Sequence, residues 1–147
     1  MENLGKNIGE LSVNTLLDKL RFFELTLFNF IIANNDMHLK NFSMWLTDIG
    51  WELSPAYDLL NVNLILPADK DETALLLGGK KRNFNKAYFD QFGAVLKLNH
   101  KQINSIYRKL EKWLPKATAL IDASFLNEEN RAGYKKTIKQ RVNLFIA

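Results

Sequence analysis

Three side chains in the first half of the chain have the types and spacing that phosphoryl transfer requires. Asp36 and Asn41 stand in the pattern Asp-x-x-x-x-Asn, and Asp58 follows after a short intervening segment. A carboxylate beside a substrate hydroxyl can accept or orient its proton, while an amide oxygen and a second carboxylate can hold Mg²⁺ against the phosphates of ATP. Mg²⁺ is a hard cation that takes oxygen ligands and keeps several waters, so one or two carboxylates plus substrate phosphates suffice. The spacing alone recurs by chance in many chains. The competing reading of Asp36 and Asn41 is a helix-terminating turn, for which both residue types are suited, and that of Asp58 is a helix N-cap.

The surrounding pattern favours the phosphoryl-transfer reading. Leu16, Leu17, Leu20, Phe23, Leu27, Phe30 and Ile31 recur at three- and four-residue steps, predicting one helix from about Thr15 to Ala33. Asn14 or Thr15 offers its N-cap, with Asp18 in the first turn, where a carboxylate complements the helix dipole. The other face carries Phe22, Leu25, Phe28 and Ile32, so neighbours should bury this helix all round. The polar stretch 34–41 then reads as a loop. Residues 42–46 and 51–53, separated by Thr47-Asp48-Ile49-Gly50, read as a β-hairpin that leads into Ser54-Pro55-Ala56-Tyr57-Asp58. Residues 73–77, ended by Gly78-Gly79, read as a further strand, and 67–71 as an exposed loop. Lys86 to Leu96, capped by Asn85, is a helix candidate. Another starts at Asn99, with Gln102 three residues on as in a capping box; Pro115 must kink or end it. A last helix runs from about Glu128 towards Phe145. Trp45, Trp51 and Trp113 are assigned to the core and His100 to the surface.

A buried helix, a polar loop, a hairpin and then a metal-binding carboxylate is the order of elements in a protein-kinase C-lobe. The run from Phe28 to Ser43, with Asn34, Asp36, His38, Lys40 and Asn41 in the order Asn-x-Asp-x-His-x-Lys-Asn, resembles the catalytic-loop signature of HipA-family kinases. Leu53 to Leu59 resembles that family's metal-binding segment, and Leu77-Gly78-Gly79-Lys80-Lys81 a further family stretch. The resemblance implies the C-lobe of a protein-kinase-like, HipA-like fold, mainly α with a small β element, as one domain over residues 1–147. It makes Asp36 the catalytic base of a Ser/Thr kinase and Asn41 with Asp58 the Mg²⁺ ligands. His38, Leu39 and Lys40, with Tyr57, would face the nucleotide. It also implies a toxin of a toxin–antitoxin pair, a protein substrate in the translation machinery, and a HipB-like antitoxin that links the kinase to DNA indirectly. No Arg precedes Asp36, and Tyr57-Asp58-Leu59 replaces Asp-Phe-Gly; both departures are shared by HipA-like sequences.

One departure restricts the reading. A whole kinase carries an N-lobe with a phosphate-covering loop and a strand lysine, and nothing of that kind precedes Leu16. Gly78-Gly79-Lys80 lacks the frame of a P-loop. ATP chemistry is therefore expected only with an N-lobe chain or upstream segment; a degenerate lobe that binds an antitoxin or DNA is the alternative.

Composition sets the outer bounds. The chain has 147 residues, 47% apolar and 24% charged, the range of an ordinary globular domain. No apolar run approaches the roughly 18 residues of a membrane span. The absence of cysteine excludes disulfides and thiolate metal sites, and two histidines, His38 and His100, suggest no zinc site. A cytoplasmic location without membrane contact is expected. The net charge of +4 concentrates at Lys80-Lys81-Arg82 and at Lys135-Lys136, Lys139 and Arg141. Each cluster is either a solvated face or a contact for an anionic partner.

Overall fold

The computed structural model describes residues 1–146 as α1 (Glu2–Leu11), α2 (Thr15–Ile31), β1 (Met44–Thr47), β2 (Gly50–Leu53), α3 (Lys86–Val95), α4 (His100–Asp122) and α5 (Glu128–Ile146). Short 3₁₀ turns lie at Leu39–Asn41 and Val62–Leu64. Helix α2 supplies the centre of the core: Phe22, Phe23, Leu27, Phe30 and Ile31 are fully enclosed. Burying each such side chain contributes about 1.5–3 kcal/mol. Phe30 packs edge-on against Phe84 and Phe145, and Phe22 against Phe42 and Phe92.

Three expectations about α2 change. Leu16 and Leu17 are exposed, and Leu25 and Phe28, which line an open apolar groove of ≈ 510 Å³, are only half-buried. The helix is enclosed on one side and at its C-terminal end, not all round. Asn14 is the N-cap but its side chain bonds Glu52, and Asp18, placed in the first turn as expected, is fully buried. The helix also stops before Ala33, which adopts a left-handed φ of 62°.

Helix α1 carried no clear signal in the sequence. Gly5 and Gly9 are weak helix formers, and α1 forms because it packs on α2. At Gly5 a Cβ would lie 2.2 Å from Leu96 Cδ2, so any larger residue would have to displace the Leu96 side chain.

Strands β1 and β2 pair antiparallel, Met44 with Leu53 and Thr47 with Gly50, around the expected turn. Two strands bury only one face, and Leu53 occupies it; Trp45 and Trp51 are about half exposed, contrary to their core assignment. Residues 73–77 are not a strand. Only Leu77 and Lys80 pair, across a turn in which Gly78 and Gly79 take positive φ. With no partner strand beside them, Ala74 and Leu77 are buried by packing alone.

Asn85 caps α3 and the Asn99–Gln102 capping box opens α4, both as expected. Pro115 does not end α4, which continues to Asp122. The missing amide falls on an exposed stretch, where water can serve the freed carbonyl. Among the described residues no helix is long and apolar enough to cross a membrane.

Candidate active site

The loop after α2 is built by asparagines. At the helix end the amide of Asn34 donates to Asn29 O, at 2.9 Å, and Ala33 O accepts from the amide of Val62 at 3.1 Å. A non-glycine residue in the left-handed region costs roughly 1–2 kcal/mol, so these bonds hold the chain in a turn it would not take alone. The buried Asn34 side chain spans the centre: its Nδ2 donates to Asn29 Oδ1 at 2.8 Å and to the backbone oxygen of Asp58 at 3.1 Å. Its Oδ1 accepts from the Asp36 amide at 3.4 Å.

Asn41, also buried, closes the arrangement. Its Nδ2 donates to Asp58 Oδ2 at 2.9 Å and to the backbone oxygen of Asp36 at 3.2 Å. Both partners are acceptors, which fixes the amide orientation and turns Oδ1 away from them. Asp58 has φ 56°, a conformation aspartate tolerates better than most residues. The structure thus brings Asp36, Asn41 and Asp58 together.

Of the other expected site residues, Tyr57 ties the two segments: its hydroxyl donates to Lys40 O at 2.9 Å. His38 Nε2 lies 3.1 Å from Asp36 Oδ1, with both side chains about half exposed. Leu39 and Lys40 are exposed on the outer side of the turn. Lys80, Lys81 and Arg82 each have different surroundings. Lys80 lies over the Tyr88 ring, Lys81 lies 3.6 Å from Asp71, and Arg82 is exposed. In the second basic stretch Lys135 lies on Asp122 and Arg141 is turned inward.

Three residues important to this geometry were given another role, or none, from sequence. Asp18 accepts from Ser12 Oγ and the Leu53 amide, each at 2.7 Å, and so fastens α2 to the hairpin. Arg141 on α5 donates to Phe30 O, covers the Phe30 ring, and stands 3.8 Å from Glu72. Burial pulls its pKa below the usual value, and Glu72 partly restores it. Asn35 donates to Asp69 Oδ2 at 2.8 Å. A carboxylate in the first turn of an apolar helix was the only available signal, and it pointed to the helix dipole instead.

The donor set fits Mg²⁺. Asn41 Oδ1 and the Asp58 carboxylate are hard oxygens of the kind Mg²⁺ takes, on two side chains that the Nδ2–Oδ2 hydrogen bond keeps in contact. Among the described residues no three His, Asp or Glu side chains converge on one point, and a Mg²⁺ that shares its shell with phosphates and water needs no such cluster.

A family model described as the HipA-like C-terminal domain matches residues 1–118. The curated protein "Putative kinase Y4mE" of Sinorhizobium fredii (strain NBRC 101917 / NGR234) is 37% identical over 54 residues, covering 37% of this chain and 13% of that protein. A chain in the solved Shewanella oneidensis MR-1 toxin–antitoxin complex of HipA, HipB and operator DNA superposes with a TM-score of 0.81 at 22% identity. That superposition covers 99% of this chain and 35% of the other, and at such identity it speaks for the fold. The present chain therefore spans about a third of that structure and about an eighth of the curated relative. Because the matched residues include α2, the asparagine-built loop and the hairpin that carries Asp58, the chain belongs to the HipA-like C-terminal domain family.

Proposed function

We propose that this chain is the catalytic lobe of a HipA-like Ser/Thr protein kinase. One observation carries the reading: the 2.9 Å hydrogen bond from Asn41 to Asp58, which joins residues from two separate segments beside Asp36. Asp36 accepts the proton of a serine or threonine hydroxyl as that oxygen bonds the γ-phosphorus of ATP. The bond from the γ-phosphorus to the β–γ bridging oxygen breaks, and ADP leaves. His38 at 3.1 Å engages one oxygen of Asp36, leaving the other for the hydroxyl. Asn41 Oδ1 and Asp58 would hold Mg²⁺, which when bound neutralises charge on the β- and γ-phosphates. Tyr57 keeps the Asp58 segment on the loop through Lys40 O.

The described residues supply one side of a nucleotide site. Neither β1 nor β2 contains a lysine, and the chain covers 35% of its structural neighbour. The 147 residues alone should bind Mg-ATP no more tightly than about 1 mM, the affinity of a site with few anchors. Joined to an N-lobe segment, in cis or in trans, the chain should transfer the γ-phosphoryl group to a protein hydroxyl in a Mg²⁺-dependent manner. Calorimetry reporting micromolar Mg-ATP binding to the isolated chain would contradict the half-site reading. Absence of transfer with the N-lobe supplied would contradict the kinase reading.

By analogy with the structural neighbour, which was solved with HipB and operator DNA, the partner we propose is a HipB-like antitoxin, with DNA reached through it. The toxin role and a substrate in the translation machinery belong to the same proposal. A direct DNA-binding role finds less support, since Lys80, Lys81 and Arg141 are engaged within the fold.

A further inference from the structure

Arg141 enters the core from α5 with its side chain only 13% exposed. Burial works against its charge, and Glu72, at 3.8 Å, supports it. The seating of α5 does not depend on that charge. Ile138, Val142 and Phe145 already place the helix in the core, where Phe145 meets the rings of Phe30, Phe89 and Tyr107. A buried ion pair contributes little net stability, because the cost of taking both charges out of water offsets their attraction. What such a pair can do is select one arrangement of the groups around it.

The guanidinium is aimed at the end of α2. Its Nη1 donates to Phe30 O, and its Cζ lies 4.6 Å from the centroid of the Phe30 ring. Phe30 O belongs to the last helical turn, where carbonyls lose the amide four residues on. That amide, from Asn34, bonds Asn29 O instead, and the backbone offers Phe30 O a 3.2 Å bond from Ala33. Arg141 completes the carbonyl with a charge of the sign that a helix C-terminus favours. Ala33 is also the residue at φ 62°, and from it the chain runs through Asn34 to Asp36 and Asn41. On the other side of the fork, Nη2 faces Glu72 Oε1, while Glu72 Oε2 accepts from the Phe84 amide at 3.0 Å. Helix α5, the end of α2 and the segment 72–84 therefore meet at one guanidinium.

We propose that Arg141 is a positioning residue for phosphoryl transfer, one that fixes how the loop leaves α2 and thereby where Asp36 and Asn41 stand. The inference rests on the kinase reading above and adds to it a residue of α5, outside the stretch 1–118 that the family model matches. Holding Phe30 O with one nitrogen and Glu72 with another needs the planar fork of arginine; lysine has one nitrogen for two partners. A displaced base costs rate steeply even where the fold is kept.

The test compares Arg141→Met, which keeps an unbranched apolar stem, with Arg141→Lys, which keeps the charge and loses the fork. In the lobe-joined protein each should lower kcat for transfer from ATP by about tenfold or more, the scale of a misplaced catalytic group. KM for ATP should change by less than about twofold, the pattern of an interaction felt in the transition state and not in binding. In the 147-residue chain without ATP, the NMR side-chain amide signals of Asn34 and Asn41 should shift or broaden. The indole signals of Trp45 and Trp51 on the hairpin should stay in place. Glu72→Gln should lower kcat by a smaller factor and add no further loss to Arg141→Met, since the two side chains act as one contact. A merely structural arginine would lower the urea midpoint and leave kcat of the folded protein and both asparagine signals at their wild-type values; that result overturns the proposal. Failure of both variants to fold overturns it too, as does a rise in KM alone. Wild-type rate in Arg141→Lys would reduce the contribution to a helix-end charge and overturn the two-contact reading. The asparagine signals are read without phosphoryl transfer, so the outcomes separate. No transfer from the wild-type lobe-joined protein sinks the kinase reading, and transfer that both variants leave intact sinks only the role of Arg141.

Discussion

Asp36→Ala should lower Mg²⁺-dependent phosphoryl transfer by roughly 10²–10⁴-fold, the usual contribution of a positioned general base. Stability should hardly change. The Asp36 side chain is half exposed and its carboxylate meets only His38, at 3.1 Å. What fastens the loop is the backbone oxygen of Asp36, which accepts from Asn41 and survives the substitution. The measurement is the initial rate of phosphate transfer from ATP in the lobe-joined protein, beside a urea midpoint for each variant. Asp36→Asn keeps the shape and loses the basicity, and should fail equally. A variant that retains wild-type rate would remove Asp36 from the role of base.

The second large effect is on folding. Asp18→Ala should destabilise the domain by roughly 3–5 kcal/mol, the cost of breaking a buried charged network from one side. Asp18 is fully enclosed and gathers Ser12 Oγ, the Leu53 amide and Arg21 Nη1, the last at 3.2 Å. Removing the carboxylate strands the Ser12 and Leu53 donors in a buried setting. Against a total stability of about 5–15 kcal/mol, that brings the domain close to unfolding. The loss also reaches the site, because Leu53 ends β2 and the chain runs directly from it to Asp58. Urea denaturation gives the number, and a shift below about 1 kcal/mol would mean that the hairpin is anchored by something else.

How far the sequence went can be judged residue by residue. The period of Phe23, Leu27, Phe30 and Ile31 located α2, and Asn99 with Gln102 located the start of α4, because both signals are local. The hairpin around Gly50 was legible for the same reason. Helix α1 was hidden because Gly5 makes it a poor helix by itself and Leu96 makes it a good fit in place. Residues 73–77 have strand composition but no strand to pair with, a fact that no local pattern carries. Trp45 and Trp51 looked like core because aromatic residues usually are, yet a two-stranded sheet has one inner face. The site divides along the same line. Asp36, Asn41 and Asp58 were singled out by their spacing and flanks, and the structure brings them together. The groups that hold them in register were not, because their partners are remote: Asp18 reaches Leu53 and Arg141 reaches Phe30, 35 and 111 positions away.

The central claim is that Asn41 and Asp58 form one Mg²⁺ site beside Asp36. The Mg²⁺ dependence of the initial transfer rate, measured for the lobe-joined wild type and for Asp58→Asn, tests it most directly. If Asp58 is a ligand, replacing its carboxylate with an amide should raise the Mg²⁺ concentration for half-maximal rate by about tenfold or more, near 1.4 kcal/mol of lost binding. Superimposable Mg²⁺ curves for the two proteins would contradict the site.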